Sequence, residues 1–300
     1  MNPDNTFFGA YLKVQRADYH LNDLTSQLQP LATHLYEVAW IKAVGLPCAS
    51  SYAAVSSNPD SKILELAFLP KLPIREYFAL LIGDIVHNLH AALDYATTAI
   101  VRAAGLPTKF VTFPAHEEQH NLTVAQTSGL AALQRALPGV DLEAFFQDTI
   151  KSYRDGNNPL WTIGKLDKID KHNFILPTIA IAQMNNGLMC GVSGGISFVS
   201  TNKIVWNDAS RPFGFVRVDA TNGLPEHTGI EISTNLSFPP GEFFSGMEVT
   251  ATLTAARHAI MDALQSMEQL AISAGLYSGH AQGNPDRVSK ASSPPDEAQE

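Results

Sequence analysis

The chain has 300 residues, is 45% hydrophobic and 16% charged, and carries a formal net charge of -9. That length buries a substantial core, and the composition is that of a globular protein rather than a disordered or fibrous one. The acidic balance disfavours broad adhesion to nucleic acid, which needs clustered Lys and Arg, and leaves only a local basic cleft open. Two cysteines, Cys48 and Cys190, stand far apart with neither a CxxC nor a Cys/His metal spacing, as expected in a reducing cytosol. The opening MNPDNTFFGAYLK lacks the basic-then-apolar order of a secretory signal, and no apolar stretch approaches the roughly 20 residues that cross a bilayer. A cytoplasmic protein with no membrane partner is expected.

From Phe7 to Val44 apolar residues recur at helical spacing, through Leu21, Leu24 and Leu28, then Leu31, Leu35, Val38 and Ile41. Pro30 divides or bends this run, predicting two helices or one kinked one. Ser51 to Leu69 changes period: SYAAVSS and KILELAF flank the Asn58-Pro59-Asp60 turn signal and predict a β-hairpin. Next comes a long helix from about Arg75 to Ala104, with Phe78, Leu81, Ile82, Ile85, Leu89, Leu93, Ala96 and Ile100 on one broad apolar face. Advancing about 100° per residue places His87, His90, Asp94 and Thr98 together on the other side, with Asp84, Asn88 and Tyr95 along a flank. Thr108 to Pro114 is expected to be extended, and shorter helices near Ala125–Ala136 and Leu142–Tyr153 follow.

Asp155-Gly156-Asn157-Asn158-Pro159 breaks the chain before a helix from Leu160 to Asn173, buried through Leu160, Ile163, Leu166 and Ile169. From Phe174 to Phe238 the period falls to two and β-branched residues increase, predicting about five strands. Val249 to Leu276 returns to helix. The polar, Pro/Ser-rich residues 277–300 read as a disordered tail. The expected class is therefore α+β. A helical bundle (7–176 and 248–276) carries an inserted, mostly antiparallel β subdomain at about 174–238, all in one domain spanning 1–276.

Chemistry concentrates in two stretches, GDIVHNLHAALDYA from Gly83 to Ala96 and LDKIDKHNF from Leu166 to Phe174. The candidate catalytic residues are His87, His90, Asp94, Asp170 and His172, since imidazole moves protons near neutral pH and carboxylates orient it. Asp84, His87, His90 and Asp94, with Asp167, Asp170 and His172 from the second stretch, are also possible metal ligands. The chain has no HExxH and no paired ExxH, so no metal or cofactor is specified. Lys151, Arg154, Lys168 and Lys171 form the one locally basic region and a candidate phosphate-binding edge. GVSGG at Gly191 to Gly195 lacks the Lys-Ser/Thr of a phosphate loop and reads as a turn.

These two stretches resemble a family of uncharacterised bacterial proteins whose central helix reads like GDxxHNLRSALDHL and whose later helix reads like LxxLDxIDKHR. In that pattern Arg, four residues and His is similar to the signature of HEPN ribonucleases, dimeric helical-bundle proteins in which Arg and His act on the RNA phosphodiester. Here His90 stands at the Arg position and Tyr95 at the His position. The resemblance thus implies a degenerate HEPN-like protein that binds RNA, a nucleotide or a protein partner, with a homodimer as its assembly. Two alternatives remain: an enzyme that cleaves phosphodiesters or phosphate esters with the His/Asp cluster, and a metal-dependent bundle enzyme.

Overall fold

A computed structural model describes residues 7–31, 36–42, 63–70, 76–171, 175, 178–185, 189–190, 196–197, 204–206, 213–219, 231–238 and 243–276. In chain order the elements are α1 (Phe8–Leu31), β1 (Tyr36–Lys42), β2 (Ile63–Pro70), α2 (Glu76–Ala103), α3 (Ser128–Ala136) and α4 (Leu142–Ala144). A π-helical turn, Phe145–Ile150, continues from α4. The chain goes on through α5 (Asn158–Asp170), β3 (Thr178–Asn185), β4 (Met189–Cys190), β5 (Ile196–Ser197), β6 (Ile204–Trp206), β7 (Phe213–Asp219), β8 (Glu231–Ser237) and α6 (Val249–Ser273).

The molecule is mainly α, which corrects the expected α+β class. Among residues whose side chains are described, the core is built by helices and the loops between them. A strand reaches it only at Leu236, next to Phe238 just past the end of β8. α2 lies at the centre, packed by α1, α3, α5 and α6. Its stripe of Ile82, Ile85, Leu89, Leu93 and Ile100 is fully buried, in one core with Val14 and Leu24 from α1 and Leu253, Ile260 and Met267 from α6. Each such side chain contributes about 1.5–3 kcal/mol by leaving water, so the α2 stripe alone accounts for much of the helical assembly.

The strands do not form one insertion after α5. β2 lies between β1 and β7 in an antiparallel three-stranded ladder, so two of its strands precede α2 in the chain. β3 pairs with β6 and β8, and β4 with β5. The expected second N-terminal helix is also corrected: α1 stops at Leu31, one residue beyond Pro30, and the segment from Tyr36 is β1. Its register with β2, from Tyr36 opposite Pro70 to Lys42 opposite Leu64, shows that cross-strand pairing outweighed the helical period of this aromatic and β-branched run. ILELAF, from Ile63, lies on β2 as expected, whereas its predicted partner SYAAVSS and the tail at 277–300 lie outside the described residues. No described helix is long and apolar enough to cross a membrane.

Two connections matter for the site. Gly105, with φ 72°, takes the left-handed position that closes α2, with its N–H on the Arg102 carbonyl. The chain then returns along α2, where Phe113 donates its backbone N–H to Asp94 Oδ1 at 2.7 Å. α5 opens with Pro159 in its first turn, where the missing N–H costs nothing.

Candidate functional site

α5 crosses α2 along the side opposite the buried stripe, and the contact is made by small residues receiving polar ones. Gly83 of α2 faces the Asp170 carboxylate so closely that an added Cβ would lie 2.7 Å from Oδ1 and nearer still to Oδ2. Seven residues on, His90 of α2 lays the Nε2 edge of its ring against Gly164 of α5. Glycine thus stands on each helix where the other presents a functional side chain.

Between these contacts sits Asp167, whose side chain is 3% exposed. Its Oδ1 accepts from His87 Nδ1 at 2.9 Å, and its Oδ2 accepts from His90 Nδ1 at 2.9 Å and from Lys171 Nζ at 2.6 Å. Burial pushes the Asp167 carboxyl up, but the hydrogen bonds from His90, Lys171 and His87 outweigh it and hold the group well below the usual carboxylate range. An ionised carboxylate only accepts, so both imidazoles carry a proton on Nδ1 and turn Nε2 away from Asp167. His87 is half exposed and His90 is 25% exposed, so one imidazole stands at the surface and the other is set deeper in the seam.

Asp170 is adjacent but differently placed. Burial pushes its carboxyl up; the backbone N–H of Ile175 opposes this, and Asp167 and Asp84 add to it by repulsion. Asp94, expected beside the histidines, instead holds the returning segment through Phe113. Asn88 is also structural, accepting from Lys13 Nζ at 3.2 Å and donating to the Asp84 carbonyl at 2.8 Å. Tyr95 lies on the surface against Gly9, with Lys13 Nζ 5.8 Å from its ring centre. His172 lies outside the described residues.

The candidate basic residues have different surroundings. Lys171 belongs to the Asp167 centre, and Lys168 is exposed one turn of α5 away. Arg154 donates to Glu117 Oε1 at 3.2 Å and stacks over the Trp161 ring at 5.7 Å, with Lys165 over the same ring at 5.5 Å. Lys151 is exposed in a left-handed conformation, with φ 57°. Among the described residues no group of three His, Cys, Asp or Glu side chains is arranged to hold a metal ion.

The residue that organises this centre, Asp167, stands in the sequence among the possible metal ligands and not among the catalytic candidates. Its local signals are the Asp167–Lys171 spacing of four and its place in the LDxIDKH-like stretch. Gly83 opens the GDxxHNL-like stretch, whereas Gly164 is signalled only by its cost in a helix interior. In comparisons with known proteins, no family model matches the chain, and neither a curated protein nor a solved structure shows significant similarity to it.

Proposed function

We propose that the α2–α5 seam is an acid–base site that cleaves a phosphate ester. The observation that supports this reading is the pair of imidazoles sharing one buried carboxylate through Nδ1. A carboxylate on Nδ1 selects the tautomer whose Nε2 takes a proton when neutral and steadies the imidazolium that results. With two such rings side by side, one removes a proton from the attacking water and the other, protonated, donates to the leaving oxygen. The oxygen–phosphorus bond to water forms as the ester bond breaks, and the two rings exchange protonation states.

The more exposed His87 is assigned as acid toward the leaving group and His90 as base. Lys171 and the neighbouring Lys168 supply positive charge toward the phosphoryl oxygens as point cations, without the forked geometry of the Arg replaced by His90. Asp94 and Tyr95 are not given chemical roles, because the first secures the 111–113 segment and the second packs over Gly9. The proposed substrate class extends from nucleotides to RNA, and the proposed compartment is the cytoplasm.

The test is hydrolysis of bis-p-nitrophenyl phosphate, p-nitrophenyl phosphate and a short RNA by the full chain. Turnover is expected to fall by about 10²–10⁴-fold in His87→Ala or His90→Ala. Rates that both variants leave unchanged, or a chain that binds these compounds without turning them over, remove the hydrolytic reading; the latter result selects the binding protein instead.

A further inference from the structure

Gly164 lies in the middle of α5 with no left-handed φ, where alanine would stabilise the helix by about 1 kcal/mol. A glycine here therefore calls for a local reason. Among the described residues, a Cβ at this position meets only the His90 ring within 4 Å, at 3.3 Å from Nε2 and 3.5 Å from Cδ2. Close approach of the two helix backbones is therefore not what requires glycine here. This differs from Gly83, which a carboxylate crowds, and Gly129, which a backbone carbonyl crowds.

The Nε2 edge is also the one part of the His90 ring not engaged by Asp167, and the ring is partly open to solvent. We infer that Gly164 is a specificity-determining position: by lacking a side chain it keeps His90 Nε2 reachable, and a phosphoryl ester approaches the seam over the bare Cα of α5. A Cβ at 164 would occupy part of that approach while leaving the Asp167 hydrogen bonds in place. The inference rests on the proposed acid–base reading for its ligand, but access to His90 is measurable without any turnover.

The probe is diethyl pyrocarbonate, which acylates accessible imidazole nitrogen, and Nε2 is the one left free at His90. Site-resolved mass spectrometry compares His90 with His120, an exposed histidine outside the seam that serves as an internal reference. In Gly164→Ala, acylation at His90 relative to His120 is expected to fall several-fold, with a melting temperature equal to or above that of the parent chain. Ester hydrolysis should fall together with it by about 10²-fold, the usual cost of a misplacement near 1 Å at a reacting group. An unchanged relative rate at His90, or a lowered melting temperature, overturns the inference. Slowed acylation in a chain that hydrolyses none of the esters upholds the access role of Gly164 and removes the hydrolytic reading alone.

Discussion

Two carboxylates one turn apart on α5 are held in opposite senses, and the contrast is measurable. Asp167 lies below the usual carboxylate range, so its stabilising contribution is full above that range and is lost only as pH falls through the lowered folded value. Replacing it with Asn turns an amide N–H₂ or a half-satisfied oxygen toward three donors and should cost about 2–3 kcal/mol in urea denaturation. That difference should hold from pH 7 to about pH 5 and shrink only in stronger acid. Asp170 is pushed up by burial, so its contribution is full below the ordinary range and is lost as pH rises through the raised folded value. Asp170→Asn should therefore be more stable than the parent at pH 7, with the advantage gone near pH 3. Destabilisation of Asp170→Asn at pH 7 would contradict the placement of its carboxylate against Gly83.

At the scale of elements, helix propensity and interhelical contact pull against each other at the glycines. Gly83→Ala gains helix propensity but drives a methyl group into the Asp170 carboxylate, and a net loss of about 1–3 kcal/mol is expected. The same substitution in α5, at Gly164, should stabilise. A larger loss at Gly83 than at Gly164 would establish which contact is tight; an equal or larger loss at Gly164 would refute that ranking. The segment after α2 is tied in the same way. Asp94→Ala leaves the Phe113 N–H without its acceptor and should cost about 1–2 kcal/mol, whereas Asp94→Asn, which retains an acceptor oxygen, should cost less.

For the whole molecule, the ends of the described chain are strapped to each other as well as to α2. Arg257 of α6 grips Asp18 of α1 with two nitrogens, Nε at 3.0 Å from Oδ1 and Nη2 at 2.9 Å from Oδ2. Farther along the same two helices Tyr11 donates to Glu268, and burial followed by that hydrogen bond pushes its phenol well above the usual range. The Asp18–Arg257 pair is partly exposed, so a double-mutant cycle should return a coupling of about 0.5–1 kcal/mol. Apolar burial contributes more than these polar straps: Leu89→Ala, at the buried centre of α2, should cost about 2–5 kcal/mol and lower the unfolding midpoint of the helices together.

Much of this was legible along the chain, because periodicity is a local property. The buried stripe of α2, its ends near Glu76 and Ala103, and α6 with its apolar face all follow from side chains recurring at 3.6 residues. So does the gathering of His87 and His90 on one side of α2. What tertiary structure decided is what those side chains meet. β1 became a strand because β2 was available to pair with it, a long-range hydrogen-bonding choice that the helical spacing of Leu35, Val38 and Ile41 does not record. Asp94 turned to a returning loop rather than to the histidines, since a backbone N–H nineteen residues away competes for the same oxygen. Asp167 became the hub because crossing helices bring one buried carboxylate between two imidazoles, a coincidence of angle and depth that only folding in three dimensions produces.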